Sequence, residues 1–249
     1  MTEPTYEDRR LSFGSSAAHY DAQRPGYPAY ALVWGLHGAT RTVREVADVG
    51  AGTGLLTRSL VDLGLDVRAF EPDAGMLDQL GASLPGVERA QAPAESLPLP
   101  DASVDAVTAG QAWHWFDPPA AAAEFTRVLR PGGVLVLAWN TRDTRVPWID
   151  ALSDIVDGGD SFRSNRTEAF QAIDAVHPGV VRADIPHRVV MTPDQVVGLI
   201  STYSYVSLRE DADDLYAAVR ELLATHPDTR GRGFVELAYV TATYRWTRP

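Results

Sequence analysis

Three glycines alternate in the stretch Asp48-Val49-Gly50-Ala51-Gly52-Thr53-Gly54. Glycine at alternate positions frees backbone angles that other residues avoid and lets a ligand come close to the main chain. The apolar run before it, Val46 to Val49, reads as a buried strand. Leu56, Leu60 and Leu63 after it form a helical stripe. The first N–H groups of such a helix lack partners and face the space above the turn. That chemistry is the binding of a nucleotide-type cofactor. An acid supports it: Glu71 lies 21 residues beyond Gly50 (71 − 50) and ends the strand that begins at Asp66. A carboxylate there can accept both cis-hydroxyls of a ribose. A dinucleotide fingerprint would need glycine where Leu55 stands, and a P-loop would need a lysine, which the chain lacks.

The elements that must position these residues alternate along the chain. Strands are expected at Val46–Val49, Asp66–Pro72, Val87–Ala90, Val104–Ala109, Val134–Asn140, Arg188–Met191 and Phe234–Trp246. Helices are expected at Ser15–Arg24, Pro28–Gly38, after the glycine turn, Asp73–Leu84, Ala120–Leu129, Trp148–Val156, Ser161–Val176 and Pro193–Thr202, with a last one carrying Leu215, Val219, Leu222 and Leu223. Alternation of this kind predicts a parallel sheet with right-handed crossovers. Ligands then sit at the carboxyl ends of the strands, where Gly50, Glu71, Gln111 and Asn140 converge. The pattern reads as one domain, 1–249. Within it, 1–40 is an N-terminal arm or lid, 41–140 the cofactor core, 141–230 a partly helical substrate-binding region and 231–249 a terminal strand.

Composition narrows the chemistry. The 249 residues include no cysteine, so thiolate nucleophiles, disulfides and cysteine-bound metals are excluded. A net charge of −11 disfavours a nucleic-acid partner, which needs a basic face. The longest apolar strand, Gly133–Trp139, is too short to span a bilayer, and the acidic start lacks a signal-peptide apolar region. The expectation is a cytoplasmic protein, monomer or homodimer, that acts on a small molecule and binds no metal, nucleic acid or membrane.

Five segments occur in a telling order: A-x-x-Y-D-x-x-R-P-x-Y-P from Ala17 to Pro28, D-V-G-A-G-T-G from Asp48, Phe70-Glu71-Pro72, Ala94-Glu95, and Gln111-Ala112-Trp113-His114-Trp115-Phe116-Asp117. Together they resemble the class I S-adenosylmethionine (SAM) dependent methyltransferases of the type 11 group, particularly those similar to trans-aconitate methyltransferase. The resemblance covers Ser12 to Asn140 well and the remainder only in pattern. It implies an α/β fold, a doubly wound, mostly parallel seven-stranded Rossmann-like sheet with an N-terminal helical lid and a helical insertion near the C-terminal strands.

The resemblance also implies SAM as methyl donor, S-adenosylhomocysteine (SAH) as product, and SN2-like transfer to a small organic acceptor, expected here at oxygen. Asp48, Gly50, Ala51, Gly52, Thr53 and Gly54 would form the cofactor turn. Glu71 would take the ribose, with Pro72 and Met76 beside it. Ala94 and Glu95 would face the adenine, and Gln111, Ala112 and Trp113 would wall the site. Tyr20 and Arg24 match the lid, where Arg24 could pair with the methionine carboxylate. Trp115, Trp139, Asn140, Trp148 and Tyr203 are the expected substrate contacts, and His114 is the candidate base, since its ordinary pKa lies near neutrality. The N/D-P-P-Y signature of nucleobase amino-methylation is absent, because Thr141-Arg142 follow Asn140. Arg142, Arg145, Arg163 and Arg166, near Phe162 and Tyr205, read as a surface scatter rather than an acid-binding set. The rival readings are a non-catalytic SAM-binding module and, less favoured, an NAD(P)-dependent oxidoreductase.

Overall fold

The structure is a computed structural model and describes residues 24–157, 173–203, 206 and 209–249. Its elements in chain order are α1 (Ala29–Leu36), β1 (Glu45–Val49), α2 (Leu55–Asp62), β2 (Asp66–Phe70), α3 (Ala74–Ser83), β3 (Glu88–Ala90), β4 (Val104–Gly110), a 3₁₀ turn (Trp113–Trp115), α4 (Pro118–Val128), β5 (Leu129–Arg142), α5 (Pro147–Asp157), β6 (Val181–Met191), α6 (Pro193–Ser201), α7 (Ala212–Thr225) and β7 (Val235–Thr247). The strands form one seven-stranded sheet in the order β3-β2-β1-β4-β5-β7-β6. Strands β1 to β5 run parallel, and β7 runs antiparallel to both β5 and β6. This is the doubly wound α/β sheet expected from the alternation. The chain order reverses direction between β1 and β4, which opens the crevice where such sheets take ligands.

Both faces of the sheet are covered by apolar side chains, as a parallel sheet requires. Leu32 of α1 and Leu56 and Leu60 of α2 pack on Val46, Ala106, Val134 and Val136. On the other face Phe125 and Val128 of α4 join Val107, Leu135, Leu137 and Trp113. A further cluster gathers Trp148, Leu152, Val196, Leu199, Leu215 and Val219 from α5, α6 and α7 against Leu237 and Tyr239 of β7. The helices after β5 therefore share β7 with the main sheet.

Two strands differ from expectation. β6 starts at Val181 rather than near Arg188. It is an edge strand whose residues alternate between exposed and half-buried and which contains Pro186, so its apolar signal is weak. β5 starts at Leu129 rather than Val134, taking in Arg130-Pro131-Gly132-Gly133 as a bulge. The register steps from Val104 opposite Leu129 to Ala106 opposite Val134, and Gly132 takes a φ of 77°. The expected helix before Arg24 and most of that over Ser161–Val176 lie outside the described residues. No helix among those described is long and apolar enough to cross a membrane.

Arg142 corrects the reading of a surface scatter. One terminal nitrogen meets both carboxylate oxygens of Asp157 at 2.8 Å, and Nε donates to Ser153 at 2.9 Å, with the pair almost fully covered. It ties the end of β5 to α5. Arg145 does sit on the surface, paired with Asp143 at 2.7 Å, while Arg163 and Arg166 lie outside the described residues. Removing one member of a covered pair leaves a charge without its counterion, at a cost of about 3–5 kcal/mol. Urea unfolding should show that loss for Asp157→Ala and a midpoint nearly unchanged for Arg145→Ala, whose guanidinium is exposed; equal midpoints would remove Arg142 from the fold's supports.

Candidate functional site

The register brings the ends of the central strands together. Val49 lies opposite Phe70, Asp48 opposite Thr108, and Gly110 opposite Ala138. Gly50, Glu71, Gln111 and Asn140 therefore emerge within one or two residues of a common edge. Gly50, Gly52 and Gly54 adopt φ of 65°, 56° and 93°, a region that costs glycine nothing and other residues a good deal. The N–H groups of Gly50 and Ala51 both donate to the Phe70 carbonyl, at 2.8 and 3.1 Å, so the turn folds over the end of β2. A side chain at Gly50 would stand 2.6 Å from the Ala112 Cβ. At Gly52 the nearest atom to a built Cβ is the Met76 sulfur at 3.8 Å, which leaves that flank of the turn open. Gly54 is the N-cap of α2, so the helix starts at Leu55.

Glu71 fastens the turn from the front. One carboxylate oxygen accepts the Gly52 N–H at 2.9 Å and the other the Asp73 N–H at 3.0 Å. Asp73 in turn caps α3 through the Met76 N–H at 2.9 Å. Asp48 fastens it from behind. Its side chain has no exposure, and its two oxygens accept the Thr57 hydroxyl at 2.6 Å and the Thr108 hydroxyl at 2.8 Å. Burial raises its pKa from 3.8 to about 6, against the two hydroxyl bonds that lower it. The geometry gives Asp48 protein partners on both oxygens and places it beneath the turn.

On the opposite side, Ala94 is buried and Glu95 accepts the Asp117 N–H at 2.8 Å, linking its loop to the start of α4. Arg127 braces that loop by donating to the Leu99 and Leu97 carbonyls at 2.8 and 3.2 Å. Gln111 holds a φ of 52°, a strained setting for a residue with a side chain and one common at functional sites. Trp113 is 1% exposed and packs on Phe116 and Phe125 with ring centroids 6.1 and 6.2 Å away. It belongs to the core. His114 is exposed, 4.8 Å from the half-buried Trp115 ring.

The segment Arg24–Pro28 runs across the strand ends like a strap. The Tyr27 hydroxyl occupies the place a Cβ at Gly110 would take, 2.6 Å away. Asn140 donates to the Gly26 carbonyl at 3.1 Å and accepts from Thr241 at 2.7 Å. Arg24 donates to the hydroxyl and carbonyl of Thr202, both at 3.2 Å, and lies 4.7 Å over the Tyr203 ring. The Arg142 guanidinium is 5.7 Å from the same ring. Asn140 and Tyr203 thus gather beside the strap. Trp139 and Trp148 are instead buried in separate clusters, Trp139 edge-on to Tyr244 at 5.8 Å. Tyr20 lies outside the described residues. Sequence reasoning missed Tyr27, although it falls inside the quoted A-x-x-Y-D-x-x-R-P-x-Y-P stretch. It also missed Thr57 and Thr108, whose residue type carries no signal of its own.

Residues 47–137 match the family described as a methyltransferase domain. An uncharacterized methyltransferase of Mycobacterium tuberculosis is 42% identical over 245 residues, 96% of this chain and 97% of that one. The chain belongs to the class I SAM-dependent methyltransferases. Within this family it is 31% identical over 246 residues to an uncharacterized methyltransferase-like protein of Schizosaccharomyces pombe, covering 94% of each. The solved structure of a candidate type II methyltransferase from Anaeromyxobacter dehalogenans superposes with a TM-score of 0.68 at 26% identity, covering 90% of this chain and 97% of that one. Membership, with Leu55 where the dinucleotide glycine would stand, decides against the NAD(P) reading. These relatives support the family and do not single out the group similar to trans-aconitate methyltransferase.

The Asp48 geometry has a pH signature. A carboxyl whose folded pKa lies above its unfolded value favours the folded state while protonated, and that contribution is lost as pH rises from about 4 to about 6. Two pKa units correspond to about 3 kcal/mol. Asp48→Asn removes the titration, so the stability of the wild type relative to this variant should fall by about that amount across the window. A flat difference, followed by urea unfolding at each pH, would show that Asp48 titrates normally.

Proposed function

We propose that this methyltransferase moves a methyl group from SAM to an oxygen of a small organic acceptor. When bound, SAM supplies a methyl group already made electrophilic by its sulfonium. The remaining task for the protein is alignment and the exclusion of water. The observation that carries the donor site is the glycine turn itself, with three positive φ angles, an open flank at Gly52 and the Glu71 carboxylate in front of it. These residues fit a nucleoside: the carboxylate oxygens have lone pairs beyond the two N–H bonds they accept, and a ribose diol can donate to them. We assign Gly50, Ala51, Gly52, Thr53, Gly54, Glu71, Pro72 and Met76 to the donor, with Ala94 and Glu95 toward its base. Gln111 and Ala112 line the same edge, and Arg24 and Tyr27 cover it.

The oxygen assignment rests on the sequence: the N/D-P-P-Y signature of nucleobase amino-methylation is absent, since Thr141-Arg142 follow Asn140. A carboxylate or phenol needs little help from a base, which suits the exposed position of His114. In the same reading 1–40 closes over the core 41–140, residues 141–230 receive the acceptor and 231–249 completes the sheet. The protein works in the cytoplasm as a monomer or homodimer, the latter resolved by sedimentation velocity.

Methyl transfer from labelled SAM to a panel of small acids, phenols and amines tests the reading. Turnover is expected with acids or phenols; turnover confined to amines would overturn the oxygen assignment. His114→Ala should keep activity within about tenfold, since a positioned base contributes about 10²–10⁴-fold. A loss in that larger range would make His114 the base.

A further inference from the structure

The strap Arg24–Pro28 carries one cation, and the guanidinium of Arg24 reaches the end of α6. It donates to the hydroxyl and the carbonyl of Thr202, the residue that closes that helix. A cation suits a helix C-terminus, where carbonyls lack partners and the backbone dipole is negative. One residue on, the same guanidinium stands 4.7 Å from the centre of the Tyr203 ring, inside the ~6 Å at which a cation is drawn to a π face. Tyr203 is itself held in place. Arg142 approaches its ring to 5.7 Å, and Arg142 is fixed by Asp157 and Ser153 of α5. The hydroxyl side of Tyr203 meets Tyr239, which is buried on β7. A half-buried ring supported from β5 and β7 thus faces the one cation of a segment 179 residues earlier in the chain (203 − 24).

Resting on the methyltransferase reading, we propose that Tyr203 is a positioning residue that latches the strap over the donor and sets how fast the donor enters and leaves. The rest of the strap is held by the Asn140 bond to the Gly26 carbonyl and by Tyr27 against Gly110, and it runs into α1 at Pro28. Arg24 is therefore its outer end, and Tyr203 with Thr202 is what that end grips. The latch is built from protein groups alone, so it acts on the strap equally with and without the donor. A contact equal in two states shifts no equilibrium between them. It must break for the strap to lift, however, and so it slows passage in both directions, which is the gating role of a lid. Tyr203 governs the exchange of SAM and SAH rather than their affinity. The same ring ties that gate to α5 and β7, within the region assigned to the acceptor.

Surface plasmon resonance on the immobilised full chain gives the association and dissociation rates of SAH. Tyr203→Leu keeps bulk and removes the π face. It should raise both rates about tenfold, the worth of one partly buried cation–π contact, and leave the affinity nearly unchanged. Tyr203→Phe keeps the ring and should keep both rates near the wild-type values. Arg24→Gln takes the cation away from the strap side and should speed exchange as Tyr203→Leu does; it decides the matter if Tyr203→Leu does not fold. Faster dissociation with unchanged association, or a Tyr203→Phe that behaves like Tyr203→Leu, overturns the proposal. Calorimetric binding of SAH by the wild type is checked first, and its failure sinks the methyltransferase reading. The latch is then read without ligand, by ¹⁹F spectra of chains labelled with fluorotyrosine. The Tyr27 resonance, assigned with Tyr27→Phe, should move in Tyr203→Leu or Arg24→Gln and stay in place in Tyr203→Phe. A Tyr27 signal unmoved by loss of the ring or of the cation overturns the latch.

Discussion

A carboxylate with no access to solvent and two hydroxyls as partners sets the geometry on which this structure depends. Asp48 sits in β1, Thr57 in α2 and Thr108 in β4, so one side chain joins the strand before the glycine turn, the helix after it and the neighbouring strand. A turn with three glycines is the segment with most freedom to lose on folding. It stays in one shape because it is fastened at both ends and in the middle: Asp48 from behind, the Phe70 carbonyl at Gly50 and Ala51, and Glu71 at Gly52. The burial that lifts the Asp48 pKa is a cost of this arrangement, and the two short hydroxyl bonds offset part of it.

From that fixed turn the site divides by strand. β1, β2 and β4 present backbone and a carboxylate, which suits a donor shared across a family. β5, β7 and β6 present side chains, with Asn140, Thr241 and His187 in contact across the three strands. The strap Arg24–Pro28 joins the halves, since Tyr27 meets Gly110 at the end of β4 while Asn140 and Thr202 hold its neighbours. The covered Arg142–Asp157 pair and its Ser153 bond set where β5 ends, and so where Asn140 stands relative to the strap.

The strand, glycine turn and helix were legible in the sequence because backbone demands leave marks in residue type. The positive φ angles at Gly50, Gly52 and Gly54 favour glycine, and Leu55 in place of a further glycine separated one cofactor class from another. Glu71 was legible through its distance from the turn. The contacts along β5 and β7 were not, because they join residues far apart in sequence whose types are ordinary. Nothing near Arg142 says that Asp157 is its partner, and Thr241 looks like any strand threonine. Trp113 misled for a related reason: an aromatic at a strand end suits a ligand wall and a core equally, and Phe125, twelve residues on (125 − 113), decided for the core. The β6 edge strand was underestimated because an edge needs only one buried neighbour, which leaves its alternation shallow.

The central claim is that the fastened glycine turn and Glu71 together hold SAM. Calorimetric titration of the wild type and of Glu71→Ala with SAH and with NAD tests it most directly. The account predicts SAH binding by the wild type, no heat with NAD, and an affinity for SAH weakened in Glu71→Ala by about 1.5–3 kcal/mol, the loss of a hydrogen bond to a charged group. Binding of NAD, or SAH affinity untouched by the substitution, would contradict it.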